Sequence, residues 1–321
     1  MPLPPRLIML GTGDFALPTF EHLHDAGLDV AALITQPDRP QGRKQELIPS
    51  RIKQSALARS VRVEQPEDVN APAALDLIRS IGPELLVTAA YGQILSADLL
   101  ALPPLGGINL HGSILPAYRG AAPVARAIQK GEAETGVTVI RMTPRIDAGG
   151  MIAFARTPIA PDETSGELEA RLAAIGAPLV AEAIAAILDG SARIIPQQKA
   201  RVTKAPKLRK EDGRIDWTQP AQAVHNLIRA MQPWPIASTT WHRPDGPTRL
   251  IVHRSELAEG SGRPGQVLEA MGDRLVVAAG EGAVRLLKVQ LEGRKPSPAA
   301  EFLHGHHPLG DFLGDASAER P

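Results

Sequence analysis

Gly107-Ile108-Asn109-Leu110-His111-Gly112-Ser113-Ile114-Leu115-Pro116-Ala117-Tyr118-Arg119-Gly120-Ala121-Ala122-Pro123 is the stretch on which the reading of this chain turns. Its first five residues form a short apolar strand that ends at His111. Asn109 and His111 stand two apart, so on a strand they share one face. Gly112 breaks the strand, residues 113–116 make a tight loop, and Pro123 suits the first turn of a helix reaching about Lys130. An amide donor and an imidazole at the carboxyl end of a strand lie where open α/β sheets hold ligands. Asn109 can donate to a developing oxyanion, and His111 can donate to it or move a proton. The plainer alternative is an Asn that closes a turn and a His satisfied in the core.

Outward from there, the same alternation repeats. Residues 6–10 are an apolar run before Gly11-Thr12-Gly13-Asp14-Phe15-Ala16, and a helix follows to about Ala26 with Gly27 as its stop. Further strands are expected at 30–35, 61–63, 84–90, 136–142 and 151–159. Helices are expected at 52–59, 71–80 and, long and Ala-rich, at 165–188. Strands alternating with helices predict an α/β fold with a doubly wound, mostly parallel sheet. Gly11-x-Gly13-x-x-Ala16 is a variant of the dinucleotide fingerprint, which makes an NAD-dependent oxidoreductase a rival reading. The second strand ends without the acid that such a site uses, so the glycines read as a strand-to-helix turn lining a site.

Two stretches are basic. Residues 36–50, punctuated by Pro37, Pro40, Gly42 and Pro49, read as a loop and carry Arg39, Arg43 and Lys44, with Arg51 and Lys53 close behind. Residues 199–210 hold six Lys or Arg and no acid, Lys204 and Lys207 among them. Each is either a solvated face or a contact for nucleic-acid phosphates. From residue 238 the pattern changes to five short β-like runs at 239–242, 250–255, 265–270, 274–279 and 283–290, which suggests a small oligonucleotide-binding-type (OB-like) barrel. Trp217 and Trp234 are expected to anchor the core. His304, His306 and His307 are expected on an exposed tail.

The 35 Lys+Arg balance the 35 Asp+Glu, so any pull on a polyanion must come from local patches. Cysteine is absent, which removes disulfides and thiolate metal sites and fits a reducing cytoplasm. No signal peptide is read at the start, and no stretch is read as approaching the apolar length of a membrane span.

Asn109-x-His111, Ser113-Ile114-Leu115-Pro116-x-Tyr118-Arg119-Gly120-Ala121-Ala122-Pro123, Glu134-Thr135-Gly136-Val137-Thr138 and Asp147-Ala148-Gly149-Gly150 together resemble the 10-formyltetrahydrofolate-dependent formyltransferases. The resemblance covers nearly the whole chain and is densest at 107–150. It implies a Rossmann-like catalytic domain at 1–190, a basic linker at 191–214 and a C-terminal tRNA-binding domain with the OB-like barrel at 215–321. It implies an enzyme that moves the formyl group of 10-formyltetrahydrofolate, a co-substrate, onto the α-amino group of methionine carried by initiator tRNA, without a metal and as a monomer. Asn109, His111 and Asp147 would be catalytic. Ser113, Ile114, Leu115 and Pro116 would hold the folate, and Arg39, Arg43, Lys44, Lys204 and Lys207 the tRNA. The family usually has proline where Gly13 stands, glycine where Lys44 stands and lysines where Gln45 and Glu46 stand. The runner-up within the family is formyl transfer to an amino-sugar nucleotide. A non-enzymatic RNA-binding module would leave Asn109, His111 and Asp147 without a task.

Overall fold

The computed structural model describes residues 5–41, 46–243 and 245–314. In chain order its elements are β1 (Arg6–Gly11), α1 (Leu17–Asp25), β2 (Asp29–Ile34), β3 (Pro40–Gln41), β4 (Glu46–Leu47), α2 (Arg51–Ala58), β5 (Arg62–Glu64), α3 (Pro72–Ile81), β6 (Leu85–Ala89), α4 (Ala97–Leu100), β7 (Gly107–His111), α5 (Pro123–Gln129), β8 (Glu134–Arg141), β9 (Met151–Pro158), α6 (Ser165–Leu188), α7 (Ala221–Ala230), β10 (Ala237–Arg243), β11 (Gly246–Ala258), β12 (Val267–Met271), β13 (Arg274–Ala278), β14 (Ala283–Leu291), β15 (Ser297–Pro298), α8 (Ala299–Gly305) and β16 (Phe312–Leu313). They fall into two units that interleave along the chain: Met1–Pro123, Glu134–Pro158 and Glu169–Ala205 in the first, Val124–Ala133, Ile159–Leu168 and Pro206–Pro321 in the second.

The first unit is built on a sheet ordered β5-β2-β1-β6-β7-β8-β9. The pairs from β5 to β7 are parallel, and β8 and β9 add antiparallel. Leu7, Ile8, Met9 and Leu10 of β1 are fully buried, as expected of a central parallel strand covered on both faces. In this unit the predicted strands and helices appear within a residue or two of their expected ends, whereas β11, expected at 250–255, runs three to four residues further at each end. Where residues 36–50 were expected to be all loop, β3 and β4 pair as a short antiparallel ladder.

Helix α6 corrects one expectation. It is long and apolar enough to cross a membrane by length and composition alone. The sequence does not look so apolar because its length is made up by alanines rather than by a run of large residues. Leu172, Ala173, Ala177, Val180 and Ile184 are nonetheless buried in this fold. Gly176 gives Leu110 of β7 its place, since a Cβ there would lie 2.5 Å from Leu110 Cδ2. Leu110 is thereby packed on one face of β7, and Asn109 and His111 are left to the other.

In the second unit the strands run β12-β13-β14-β11-β10-β16, with β15 on β14. A bridge between Gln266 and Phe312 ties β16 back toward the start of β12, so the sheet curls round on itself. Trp217 is buried as expected and donates from Nε1 to Thr239 Oγ1 at 3.0 Å. Trp234 is not a core anchor: it is 49% exposed, because Pro233 and Pro235 on either side hold a turn rather than a packed element. Of the histidines expected on an exposed tail, His304 and His307 are exposed, while His306 is partly buried. His304 lies in α8, and His306 packs its ring 4.7 Å from Phe302 and 5.6 Å from Trp241. The aromatic residues give this segment something to pack on, and that partnership crosses about sixty residues of sequence.

Thr164 and Glu167 form a capping box at the start of α6, with Thr164 N donating to Glu167 Oε2 at 2.9 Å. Arg254 pairs with the same carboxylate and is the main reason that its pKa falls from 4.5 to about 2. A carboxylate lowered in the folded state stabilises above its unfolded value and loses that contribution as pH falls through the folded one. Thermal unfolding of Glu167→Gln is therefore expected to be flatter than the parent between pH 4.5 and about 2, with the parent's advantage largest above pH 4.5. Parallel melting curves across that window would contradict it. The pair is half exposed, which keeps the effect modest.

Candidate active site

Strand β7 delivers Asn109 and His111 beside the end of β6, where Thr88 is paired with Asn109. The Thr88 hydroxyl is buried and donates to Asn109 Oδ1 at 2.7 Å. That bond fixes which way the amide faces: oxygen inward, Nδ2 outward with no partner among the described residues. An amide held in this way is a ready donor for negative charge forming on a substrate oxygen.

His111 is nearly buried, its side chain 6% exposed and that of Asp147 12%. Nε2 lies 2.9 Å from the carbonyl oxygen of Tyr118, which can only accept, so Nε2 carries a proton. Nδ1 lies 3.6 Å from Asp147 Oδ2. At that distance the carboxylate faces the ring without a hydrogen bond to it. The same Asp147 oxygen accepts from the backbone N–H of Gly120 at 2.9 Å. To donate from Nε2 to a substrate, the ring has to let go of the Tyr118 carbonyl.

Both loops that face His111 hold a non-glycine residue in the left-handed region, Tyr118 at φ 61° and Asp147 at φ 48°. Such conformations persist only where surrounding bonds over-determine them. Here the bonds come from residues 195–205. Ile195 pairs with Met151 in both directions, at 2.9 and 2.8 Å. Tyr118 N donates to Thr203 Oγ1 at 2.8 Å, Arg119 N to Thr203 O at 2.9 Å, and Ala205 N to Arg119 O at 2.7 Å. A Cβ on Gly120 would lie 2.5 Å from Ala205 O, so only glycine lets this strap pass. Gln197 joins the two loops, accepting from Arg119 and donating to the carbonyls of Asp147 and Gly149.

The expected folate loop is tightly internal at two of its four positions. The Ser113 hydroxyl donates to Ala117 O at 2.7 Å, and Leu115 N donates to Thr138 Oγ1 at 3.1 Å. Ile114 and Pro116 are only partly buried. Of the expected tRNA contacts, Arg39 is exposed and pairs with Glu67 at 2.8 Å. Arg43 and Lys44 lie outside the described residues. Behind that arm Lys53 bonds Asp38 at 2.5 Å and holds its carboxyl below the usual range. Lys204 and Lys207 are exposed and make no ion pair among the described residues. Among the described residues no group of three or more His, Cys, Asp or Glu is arranged to hold a metal.

Thr88, Thr138, Gln197 and Thr203 are absent from the sequence-based set. Thr88 leaves a trace as a hydroxyl inside the apolar run 85–90, and Thr138 stands at the end of the 134–138 motif that carries part of the family resemblance.

Residues 5–184 match the formyl transferase family model, and residues 207–307 match the model of the formyl transferase C-terminal domain. The chain is 47% identical to the methionyl-tRNA formyltransferase of Solibacter usitatus over 302 residues, 94% of this chain and 95% of that one. It is 43% identical to the methionyl-tRNA formyltransferase of Moorella thermoacetica over 312 residues, covering 96% and 99%. Among solved structures, an N-formyltransferase from Helicobacter canadensis in complex with folinic acid and dTDP-3-aminofucose is similar with a TM-score of 0.66 at 17% identity, covering 88% of this chain and 99% of that one. That last likeness speaks for the fold alone. By the family models and the identity along nearly its full length, the chain belongs to the formyl transferase family, and within it to the methionyl-tRNA formyltransferases.

Proposed function

We propose that Asn109, His111 and Asp147 carry the transfer of the formyl group of 10-formyltetrahydrofolate to the α-amino group of methionine on initiator tRNA. The neutral amine attacks the formyl carbon, and charge gathers on the formyl oxygen. Asn109 Nδ2 donates to that oxygen, and His111 adds a second donor once the ring gives up the Tyr118 carbonyl. Asp147 keeps the ring oriented. As the carbon–nitrogen bond to the folate breaks, the amine gives up one proton and the folate nitrogen gains one. In this reading the His111–Asp147 pair passes that proton on. The observation that carries this reading is the pinned amide of Asn109 on the same strand face as an imidazole that a carboxylate faces at 3.6 Å.

Ile114 and Pro116 are the side chains of the 113–116 loop left to meet the pterin, with Ser113 and Leu115 shaping the loop from within. Arg39, Arg43, Lys44, Lys204 and Lys207 hold the tRNA backbone in this reading.

The test is formylation by the purified protein of charged initiator tRNA, set against an amino-sugar nucleotide as acceptor. Turnover of the sugar acceptor alone would sink the reading. With the tRNA acceptor, kcat/KM is expected to fall as salt rises. Lys204→Ala is expected to make that dependence shallower by about one unit in the log–log slope at unchanged kcat. An unaltered slope would remove Lys204 from the RNA contact.

A further inference from the structure

We infer that Gln197 is a positioning residue for the transfer, acting through Asp147. The inference rests on the role proposed for the His111–Asp147 pair.

All four hydrogen-bonding capacities of the Gln197 amide are used. Its Oε1 accepts from Arg119 Nε at 3.0 Å and Arg119 Nη2 at 2.7 Å. Its Nε2 donates to Asp147 O at 2.8 Å and Gly149 O at 2.7 Å. An amide used to capacity in this way fixes position at both of its ends. One end is the residue whose carboxylate faces His111. The other is the residue next to Tyr118, whose carbonyl faces the opposite side of the same ring. A single side chain therefore sets the spacing between the two acceptors that face His111.

The backbone adds a reason why this matters. Asp147 sits in the left-handed region at φ 48°, which aspartate tolerates better than most residues but still at a cost, so a bond on its carbonyl helps to hold it there. Among the described residues Gln197 supplies that hold: the bond on Asp147 O is its own. Without it the loop relaxes, and the carboxylate moves off Nδ1 of His111. A misplacement on the order of 1 Å is enough to cost up to about a hundredfold in rate. The separation of fifty residues between Gln197 and Asp147 explains why no local pattern points to it.

Gln197→Met keeps the volume and removes all four bonds. It is expected to lower kcat for formylation of methionyl-tRNA by about tenfold or more, with KM for the formyl donor within about twofold. On an Asp147→Asn background the same change is expected to cost less than about twofold, because the residue through which it acts is already disabled. Gln198→Met, at an exposed neighbour, is the control for any disturbance of the strap. Full activity of Gln197→Met, or an equal loss on the Asp147→Asn background, overturns the inference. Gln197→Glu, which keeps the acceptor and loses the donors, is expected to lose activity in the same way. Failure of both variants to fold also overturns it, since the residue would then be structural. The parent enzyme is assayed first: no formylation of methionyl-tRNA by the parent sinks the proposed function, whereas an active parent with an active Gln197→Met sinks only the positioning role.

Discussion

Asn109→Ala is expected to lower kcat by about 10²–10³-fold, with KM for the formyl donor changed by less than about threefold. The amide is held so that its donor faces out, and nothing among the described residues uses that donor. Its contribution thus appears when charge builds on the formyl oxygen, not when the donor binds, which is what places the loss in kcat. Thr88→Val should move the rate in the same direction by less, because the amide remains but its orientation is no longer imposed. Single-turnover formylation separates the chemical step from product release. Asn109→Ala turning over within a few-fold of the parent, with an unchanged melting curve, would remove the oxyanion role.

Gly149→Ala is expected to be the most damaging single methyl near the site. A Cβ there would stand 1.7 Å from the carbonyl oxygen of Arg141 and 2.8 Å from its carbonyl carbon. Both atoms belong to the backbone of β8 and cannot swing aside. The loop has to move instead, and with it go the bond from Gln197 to Gly149 O and the place of Asp147. Overpacking of this kind costs roughly 3 kcal/mol, and displacement of the carboxylate lowers kcat by about a hundredfold. Denaturant unfolding and steady-state formylation measure the two effects separately. Gly305→Ala is the matched control, because nothing lies within 4 Å of a Cβ at that position; its effect on stability is expected to stay under about 1 kcal/mol. Equal behaviour of the two variants would show that the close approach at Gly149 is relieved at little cost.

The parts of this molecule that were legible in the sequence are those whose cause is local. Buried parallel strands read as short apolar runs, and Gly27, in the left-handed region just past α1, reads as the stop of its helix. Asn109 and His111 were legible because two residues on one strand face form a pattern. Asp147 entered through a motif shared with a family, since no periodicity says what a turn will meet. Thr88 and Gln197 had neither advantage. Their bonds reach across 21 and 50 residues, to partners that only the sheet order and the strap bring near. Alanine hid how apolar α6 is over its full length, much as the distant Trp241 hid the packing of His306: composition describes a segment, not what it lies against.

The order in which the chain leaves the ribosome gives the strap a further consequence. Synthesis runs from residue 1 upward, so the loops bearing Tyr118 and Asp147 are made well before residues 195–205. Until then the partners that Ile195 supplies to Met151 are missing, and the outer edge of the nascent sheet stands open there. The first unit is complete only after the last turn of α6 and the strap have emerged, by which time two pieces of the second unit, Val124–Ala133 and Ile159–Leu168, have already been made. A fragment cut at residue 190 would end just short of the piece that finishes it.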